Sequence, residues 1–276
     1  RVGSPDLFVT EACEYTNSFL SFHPTMEVIL NIEEDHLDFF KDLEDIRNSF
    51  RKFAELLPKD GSLIINGEID RLGGITDGLK CNVITYGMDS SFDYAAVNIT
   101  HNQTGAASFD LVIGGIFVSR ISLSVSGDHN VSNALASIAV ADKLGIPMET
   151  IQTGLHDFHG TNRRFEHKGE VNGVTIIDDY AHHPTEIAAS LDAAHHYPHQ
   201  ELWCIFQPHT YTRTKALFDE FVETLQNADH IILADIYAAR ETDTLGVSSL
   251  DLANALKEKG CDAYYFSSFG EIEDFC

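Results

Sequence analysis

The chain reads as an α/β protein of two domains: a central, mostly parallel sheet domain with a small antiparallel patch, followed by a doubly wound C-terminal domain. Three observations predict this. Apolar runs alternate with amphipathic stretches, the apolar period changes to two between roughly residues 94 and 125, and strands and helices alternate strictly beyond "HGTNRRFE". A length of 276 residues, 43% of them hydrophobic, suffices for two such domains, each with its own core.

The elements follow in order. "MEVILNI" predicts a buried strand, and "LDFFKDLEDIRNSFRKFAELL" predicts an amphipathic helix over Leu37–Leu57, with apolar residues at Phe40, Leu43, Ile46, Phe50, Phe53 and Leu57. "GSLIIN" and "CNVITYG" predict two more strands. Phe109, Leu111 and Ile113, then Phe117, Ser119, Ile121, Leu123 and Val125, flank the turn Gly114-Gly115 and predict the antiparallel patch. Two helices, "HNVSNALASIAVADKLG" and "METIQTGLHDF", lead to a boundary near residue 160, dividing the chain into 1–160 and 161–276. Beyond it come a hairpin turn at Asn172-Gly173, a strand "VTIIDDY", a helix from Pro184 and a strand "LWCIF". A helix "TRTKALFDEFVETLQ", a strand "HIILADIY", a helix "SLDLANALKEKG" and a strand "AYYFSS" complete the series.

With 43 acidic and 18 basic side chains, the net charge of −25 repels polyphosphate backbones and anionic lipid, so neither nucleic acid nor a membrane is expected as a partner. A small anionic ligand remains compatible with that charge, because a few arginines or Mg2+ reverse the field inside one cleft. Five scattered cysteines without a C-x-x-C pair predict neither a zinc knuckle nor a disulfide framework, and a reducing cytoplasm is the expected location. No apolar run approaches the length of a membrane span, and "RVGSPDLFVTEACEY" lacks the order of a signal peptide. The abrupt start and the end within "GEIEDFC" lead us to expect a fragment of a longer protein.

Polar residues cluster where apolar runs stop, the edge at which doubly wound sheets hold ligands. "TIIDDYAHHPTE" sets Asp178, Asp179, Tyr180, His182 and His183 before Pro184, a residue suited to a first helical turn. One reading makes the acids a helix cap and the histidines surface residues; the other gives an acid to ribose hydroxyls and a histidine to a proton or a carboxylate. "CIFQPHTYTRT" repeats the arrangement and places Arg213 at a helix start, where the dipole opposes a cation. Anion recognition and an ordinary salt bridge both account for it. "VSGDHNVSNALA" puts His129, Asn130 and Asn133 at a helix start, to read a base edge or, for Asp128 or Asn130, to cap. Near the front, "TEACEY" and "NIEEDHLD" supply Glu11, Glu14, Glu33, Glu34, Asp35, His36 and Asp38, an oxygen-rich set suited to Mg2+, with His36 pointing to Mn2+ tolerance.

"EACEY", "NIEEDHLD", "GDHNVSNALA" with "GTNRRFE", and "DDYAHHPTE" with "FQPHTYTRT" occur in this order in the Mur ligases, and the resemblance spans essentially the whole chain. It implies a Rossmann-like C-terminal domain and an ATP- and Mg2+-dependent ligase of peptidoglycan precursor synthesis. The last pair of motifs most resembles the members that join L-alanine to UDP-N-acetylmuramate through an acyl phosphate. The resemblance makes Glu11 and His36 metal ligands, with Asn31 lining the same site. It gives adenine to His129, Asn130 and Asn133, the γ-phosphate to Arg164 and the ribose to Asp179. His182 and Arg213 then surround the amino acid and the acyl phosphate, and Tyr180 shapes that pocket.

The chain departs from the family by lacking G-x-x-x-x-G-K-[ST], a UDP-sugar-binding domain and a last glycine-rich strand, so these residues alone are expected neither to hydrolyse ATP nor to ligate. Thr210 also stands where some members carry arginine. Three other readings compete: a ligase attaching a recycled peptide to the same sugar nucleotide, a metallohydrolase using His182 and His183, and a non-catalytic binding module.

Overall fold

A computed structural model describes residue 3 and residues 6–276; the reading of the first stretch against a signal peptide rests partly on Arg1, Val2, Ser4 and Pro5, which lie outside the described residues. The chain divides into two compact units, Arg1–Tyr86 and Gly87–Cys276.

In the first unit a short 3-10 helix, Tyr15–Ser21, precedes β1 (Met26–Ile29), α1 (Leu43–Ala54), β2 (Ser62–Asn66), α2 (Gly73–Thr76) and β3 (Asn82–Gly87). The strands are parallel, with Met26 opposite Ser62 and Ser62 opposite Asn82. Ile29, Leu63 and Ile65 pack against Ala54, Leu57 and Ile75. Helix α1 starts six residues later than its apolar spacing predicts. Asp42 is extended and its Oδ1 accepts the Asp45 N–H at 2.9 Å, while a turn on the His36 carbonyl occupies Phe39 and Phe40. Phe40 still reaches the core.

Strand β1 differs from the expected uniformly buried run. Val28 is exposed, whereas Glu27 is only 3% exposed and neither carboxylate oxygen has a hydrogen-bond partner. Strand alternation sends Glu27 inward beside Ile29. Burial pushes its carboxyl up to about 8, so it sits in the fold as a neutral acid at pH 7.

The second unit opens with β4 (Tyr94–His101), β5 (Ala106–Ile113) and β6 (Ile116–Ser126), paired antiparallel as the two-residue period predicts. Phe109, Leu111, Ile121 and Leu123 are buried, but Phe117 is 60% exposed. A register shift between Leu111 and Val112 breaks the alternation before the hairpin tip. Helices α3 (Asp128–Lys143) and α4 (Met148–His156) follow.

Strands β7 (Glu166–Val171) and β8 (Val174–Asp178) form a hairpin closed by Asn172 and Gly173, both at positive φ, the conformation that a two-residue turn requires. Among the described residues β8 pairs with β7 in a separate sheet rather than with the parallel one, because the tight turn supplies an adjacent antiparallel partner. Then come α5 (Pro184–His195), β9 (Trp203–Phe206), α6 (Tyr211–Ala216), α7 (Phe218–Leu225), β10 (His230–Ala234), α8 (Ser249–Glu258), β11 (Asp262–Phe266) and α9 (Phe269–Phe275). The helix expected over Thr212–Gln226 is broken at Leu217, whose φ of −111° and ψ of 29° leave the helical region.

β9, β10 and β11 form a parallel sheet in the order β11-β10-β9. Ile231 and Leu233 of β10 pack with Phe221, Leu225, Leu252 and Leu256 on one face, and Ile232 and Ala234 with Ile272 on the other. Helices thus cover both faces, the doubly wound arrangement expected.

Candidate active site

The exit of β8 is organised by two carboxylates. Asp179 accepts the Phe165 N–H on Oδ2 and the Ala181 N–H on Oδ1, each at 2.7 Å, while the Tyr180 N–H donates to the Arg163 carbonyl at 2.8 Å. These bonds strap Arg163–Phe165 to the strand end, with the Arg163 guanidinium 4.5 Å and that of Arg164 6.0 Å from the centre of the Tyr180 ring.

Glu186, one turn into α5, accepts the His182 N–H at 2.9 Å and the His183 N–H at 3.3 Å, and its other oxygen lies 3.4 Å from Arg164 Nη1. His183 Nδ1 accepts the Thr185 N–H, completing a capping box ahead of Pro184. Burial alone would raise the Glu186 pKa; the His182 and His183 N–H groups, the adjoining His182 ring and the Arg164 guanidinium outweigh it and hold the carboxyl below its usual value. His183 and Glu186 therefore account for the cap. His182 Nδ1 turns to the Tyr180 carbonyl at 2.9 Å.

The exit of β9 is built from longer-range contacts. Arg213 Nη1 donates to the His209 carbonyl at 2.6 Å and lies 3.2 Å from His209 Nδ1. The His209 ring stacks on Tyr237 at 5.5 Å and 15°, and its centre is 6.1 Å from that of His182. Burial, with Arg213 and His182 nearby, lowers the His209 pKa. The Thr212 N–H at the start of α6 donates to Glu241, 29 residues later in the chain, at 3.1 Å.

At the start of α3, Gly127 has φ +91°, and a Cβ there would lie 2.6 Å from Cε1 of His129. Only glycine admits that ring position. Neither Asp128 nor Asn130 caps this helix: its N-cap is Gly127 without a side-chain bond. Asp128 instead meets His101 Nε2 at 2.7 Å. Asn130 Nδ2 donates to the Ser126 carbonyl at 2.7 Å, and Asn133 Nδ2 to Asn130 Oδ1 at 3.4 Å, so the two amides meet as their spacing predicts. Packing around His129 holds its pKa below the usual histidine value against the pull of Asp179, Asp128 and Asp192. The helix start and the β8 exit therefore lie within electrostatic reach of each other.

In the first unit, His36 Nε2 lies 3.3 Å from Glu14 and 3.8 Å from Asp35, while Asn31 Nδ2 donates to Glu33 at 3.3 Å. Glu11 is exposed, and of the two acids in "TEACEY" it is Glu14 that meets His36. Among the described residues no group of three His, Cys, Asp or Glu side chains is arranged to hold a metal ion. The oxygen-rich donors fit Mg2+ of the kind completed by water and substrate phosphate, which needs only one or two carboxylates.

Residues 3–141 match the Mur ligase middle domain, and residues 163–274 the Mur ligase glutamate ligase domain. The chain belongs to the Mur ligases. It is 55% identical over 276 residues to a UDP-N-acetylmuramate--L-alanine ligase of Lachnospira eligens, covering 100% of this chain and 60% of that relative. A ligase of the same name from Agathobacter rectalis is 56% identical over 275 residues, with the same coverage. Among solved structures, the UDP-N-acetylmuramate-alanine ligase of Thermotoga maritima matches with a TM-score of 0.75 and 26% identity, over 94% of this chain and 55% of that one. The chain thus spans about 60% of the length of these curated relatives.

Three residues of this Mur ligase chain were not among those predicted from sequence: His209, Tyr237 and Glu241. His209 lies inside a stretch already singled out for Arg213. Tyr237 and Glu241 follow β10, and applying the strand-exit rule to that third strand would have found them. No helix among the described residues is long and apolar enough to cross a membrane.

Proposed function

We propose that this chain carries the central and C-terminal parts, meeting near residue 160, of a cytoplasmic ligase that joins L-alanine to the carboxylate of UDP-N-acetylmuramate at the expense of ATP. The observation that carries this reading is the gathering of Arg164, Asp179, Tyr180, His182, His209 and Arg213 around the exits of β8 and β9. The names of relatives at 55% and 56% identity support the same substrates.

In this reading His129, Asn130 and Asn133 receive adenine, and Asp179 takes the ribose with the lone pairs its two amide bonds leave over. Arg164 faces the γ-phosphate, and Glu11, His36 and Asn31 are the candidate Mg2+ residues. Mg2+ when bound supplies positive charge to phosphate oxygens. Activation of the muramoyl carboxylate yields an acyl phosphate, which the free amine of alanine attacks; charge develops on oxygen twice, and fixed positive groups such as Arg164 and Arg213 suit it.

His182 takes the amine proton. Its Nδ1 faces the Tyr180 carbonyl, which only accepts, so Nδ1 carries the hydrogen and Nε2 keeps the basic lone pair. The test is phosphate release from ATP by the full-length protein with UDP-N-acetylmuramate and either L-alanine or a tripeptide. Release that requires alanine supports the reading; release only with the tripeptide assigns the protein to peptide recycling, and none with either returns the hydrolase and binding-module readings.

A further inference from the structure

Helix α5 is 12 residues long, so about 18 Å separate its start at the β8 exit from its far end. That far end rests on two glycines beside α3. A Cβ on Gly105, at φ +73°, would lie 2.8 Å from His196 Cβ, and one on Gly127, at φ +91°, 3.4 Å from Ala193 Cβ. The Gly127 N–H donates to the Gly105 carbonyl at 3.3 Å, and Ser126 Oγ to the Thr104 carbonyl at 2.6 Å, so the two glycines make one seat. At this seat the His196 ring stacks on that of His101, with centres 4.5 Å apart and planes at 16°, while His101 Nε2 meets Asp128 Oδ1 at 2.7 Å. A carboxylate only accepts, so His101 donates from Nε2. One ring on β4 thus holds the end of α5 by its face and the first residue of α3 by its edge. Histidine suits both contacts: a leucine would fill the space without the N–H, and an asparagine would supply the N–H without the ring.

The two helices belong to different halves of the proposed nucleotide site. His129, Asn130 and Asn133 follow Asp128 on α3, whereas Asp179 and Arg164 stand where α5 begins, with Arg164 Nη1 3.4 Å from Glu186. We propose that His101 is a positioning residue for nucleotide binding, which through Asp128 and His196 fixes the start of α3 relative to α5 and so sets the spacing between the adenine groups and those for ribose and γ-phosphate. This rests on the nucleotide assignments of the ligase reading above and extends them to residues for which no role has been assigned. His101 itself makes no contact with the nucleotide.

Spacing matters because the base must sit within hydrogen-bond reach of α3 while the ribose hydroxyls sit on Asp179, and a displacement of about 1 Å forfeits one set or the other. The base contact is also directional. Asn130 Nδ2 is held by the Ser126 carbonyl at 2.7 Å, which leaves Oδ1 to face a base. That acceptor matches the exocyclic amine of adenine and not the carbonyl of guanine.

Equilibrium binding of ATP and of GTP to the full-length protein, followed by calorimetry, tests the proposal without requiring turnover. His101→Leu should weaken ATP binding about tenfold and GTP binding by no more than about twofold, so that the preference for ATP shrinks. His101→Gln, whose flat amide supplies an N–H to Asp128, should recover most of that loss. Gly105→Ala, which lifts His196 from its seat and leaves every side chain of the network in place, should shift the preference in the same direction. Unmoved ATP affinity in His101→Leu, equal losses for both nucleotides as a merely loosened fold would give, or a Gln variant no better than Leu would each defeat the proposal. So would an unchanged preference in Gly105→Ala, which decides the matter should His101→Leu fail to fold. Failure of the ligase reading shows differently: a wild-type protein that prefers ATP but releases no phosphate in response to alanine leaves the positioning role standing. One without any preference for ATP removes the adenine site that His101 would serve.

Discussion

Two strand exits in the second unit look alike in sequence and are built differently. Both run from an apolar strand through polar residues into a helix. At the exit of β8, the polar residues largely serve the chain beside them: His183 and Glu186 form a capping box within four residues, and α5 extends over 12 residues. At the exit of β9, Thr210 makes no side-chain cap, α6 lasts six residues, and Glu241 from the loop after β10 accepts the Thr212 N–H. A junction held by its own residues uses His183 and Glu186 for the cap and leaves Asp179, Tyr180 and His182 for the roles proposed above. One held from elsewhere leaves His209 and Arg213 for chemistry, at the cost of depending on tertiary contacts.

This contrast predicts which substitutions damage activity and which damage stability. Arg213→Ala should have the largest effect, lowering kcat/KM for alanine in the full-length protein by about a hundredfold, since it removes a charged donor from the proposed amino-acid site. Arg213→Lys should restore little, because an ammonium lacks the planar fork. Equal kinetics for wild type and Arg213→Ala would erase the distinction between the two exits. Next, His182→Ala should slow turnover at neutral pH by about a hundredfold, the ordinary contribution of a general base, while leaving urea unfolding nearly unchanged. Unchanged turnover would remove its proton-accepting role.

Effects of the two carboxylates that hold helix starts should appear in folding. Glu186→Ala removes one half of the capping box and should destabilise the second unit by about 1 kcal/mol in urea unfolding, with faster amide exchange at His182 and His183. Glu241→Gln should cost less, about 0.5 kcal/mol at pH 7, and its signature is pH dependence. Burial favours the neutral acid, but bonds from the Thr212 and Thr210 side chains and the Thr212 and Tyr211 N–H groups hold the Glu241 pKa below 4.5. A carboxyl depressed on folding contributes stability that is fully present above its unfolded value and is lost as pH falls through its folded value. The difference between wild type and Glu241→Gln should therefore be steady at neutral pH, shrink below about pH 4.5 and disappear in stronger acid. A difference that grows on acidification would reverse the sign assigned to this contact.

The legible parts of the fold were those set by neighbours in sequence. Alternating apolar periods predicted most strands and the longer helices in order, though not the 3-10 helix Tyr15–Ser21 or α2, while Asn172-Gly173 predicted the hairpin and Pro184 the start of α5 to the residue. Helix α1 was placed too early because apolar spacing continued through Asp42, whose side chain ends the preceding turn. Phe117 followed the alternation in sequence but not in space, since a register shift is a property of two strands together.

The site divides in the same way. Sequence by itself determined which polar residues gather at strand ends, because a strand that stops at a sheet edge must expose the next residues of the chain. The cap fell to His183 rather than to the acids that the sequence suggested for it, although its partners lie within three residues. Only the tertiary structure decided that His209 stacks on Tyr237 28 residues later, that Glu14 rather than Glu11 meets His36, and that Glu27 turns into the core without a partner. Hydrogen bonds and tautomers depend on which atoms come within about 3 Å, and for groups far apart in the chain only packing sets that distance.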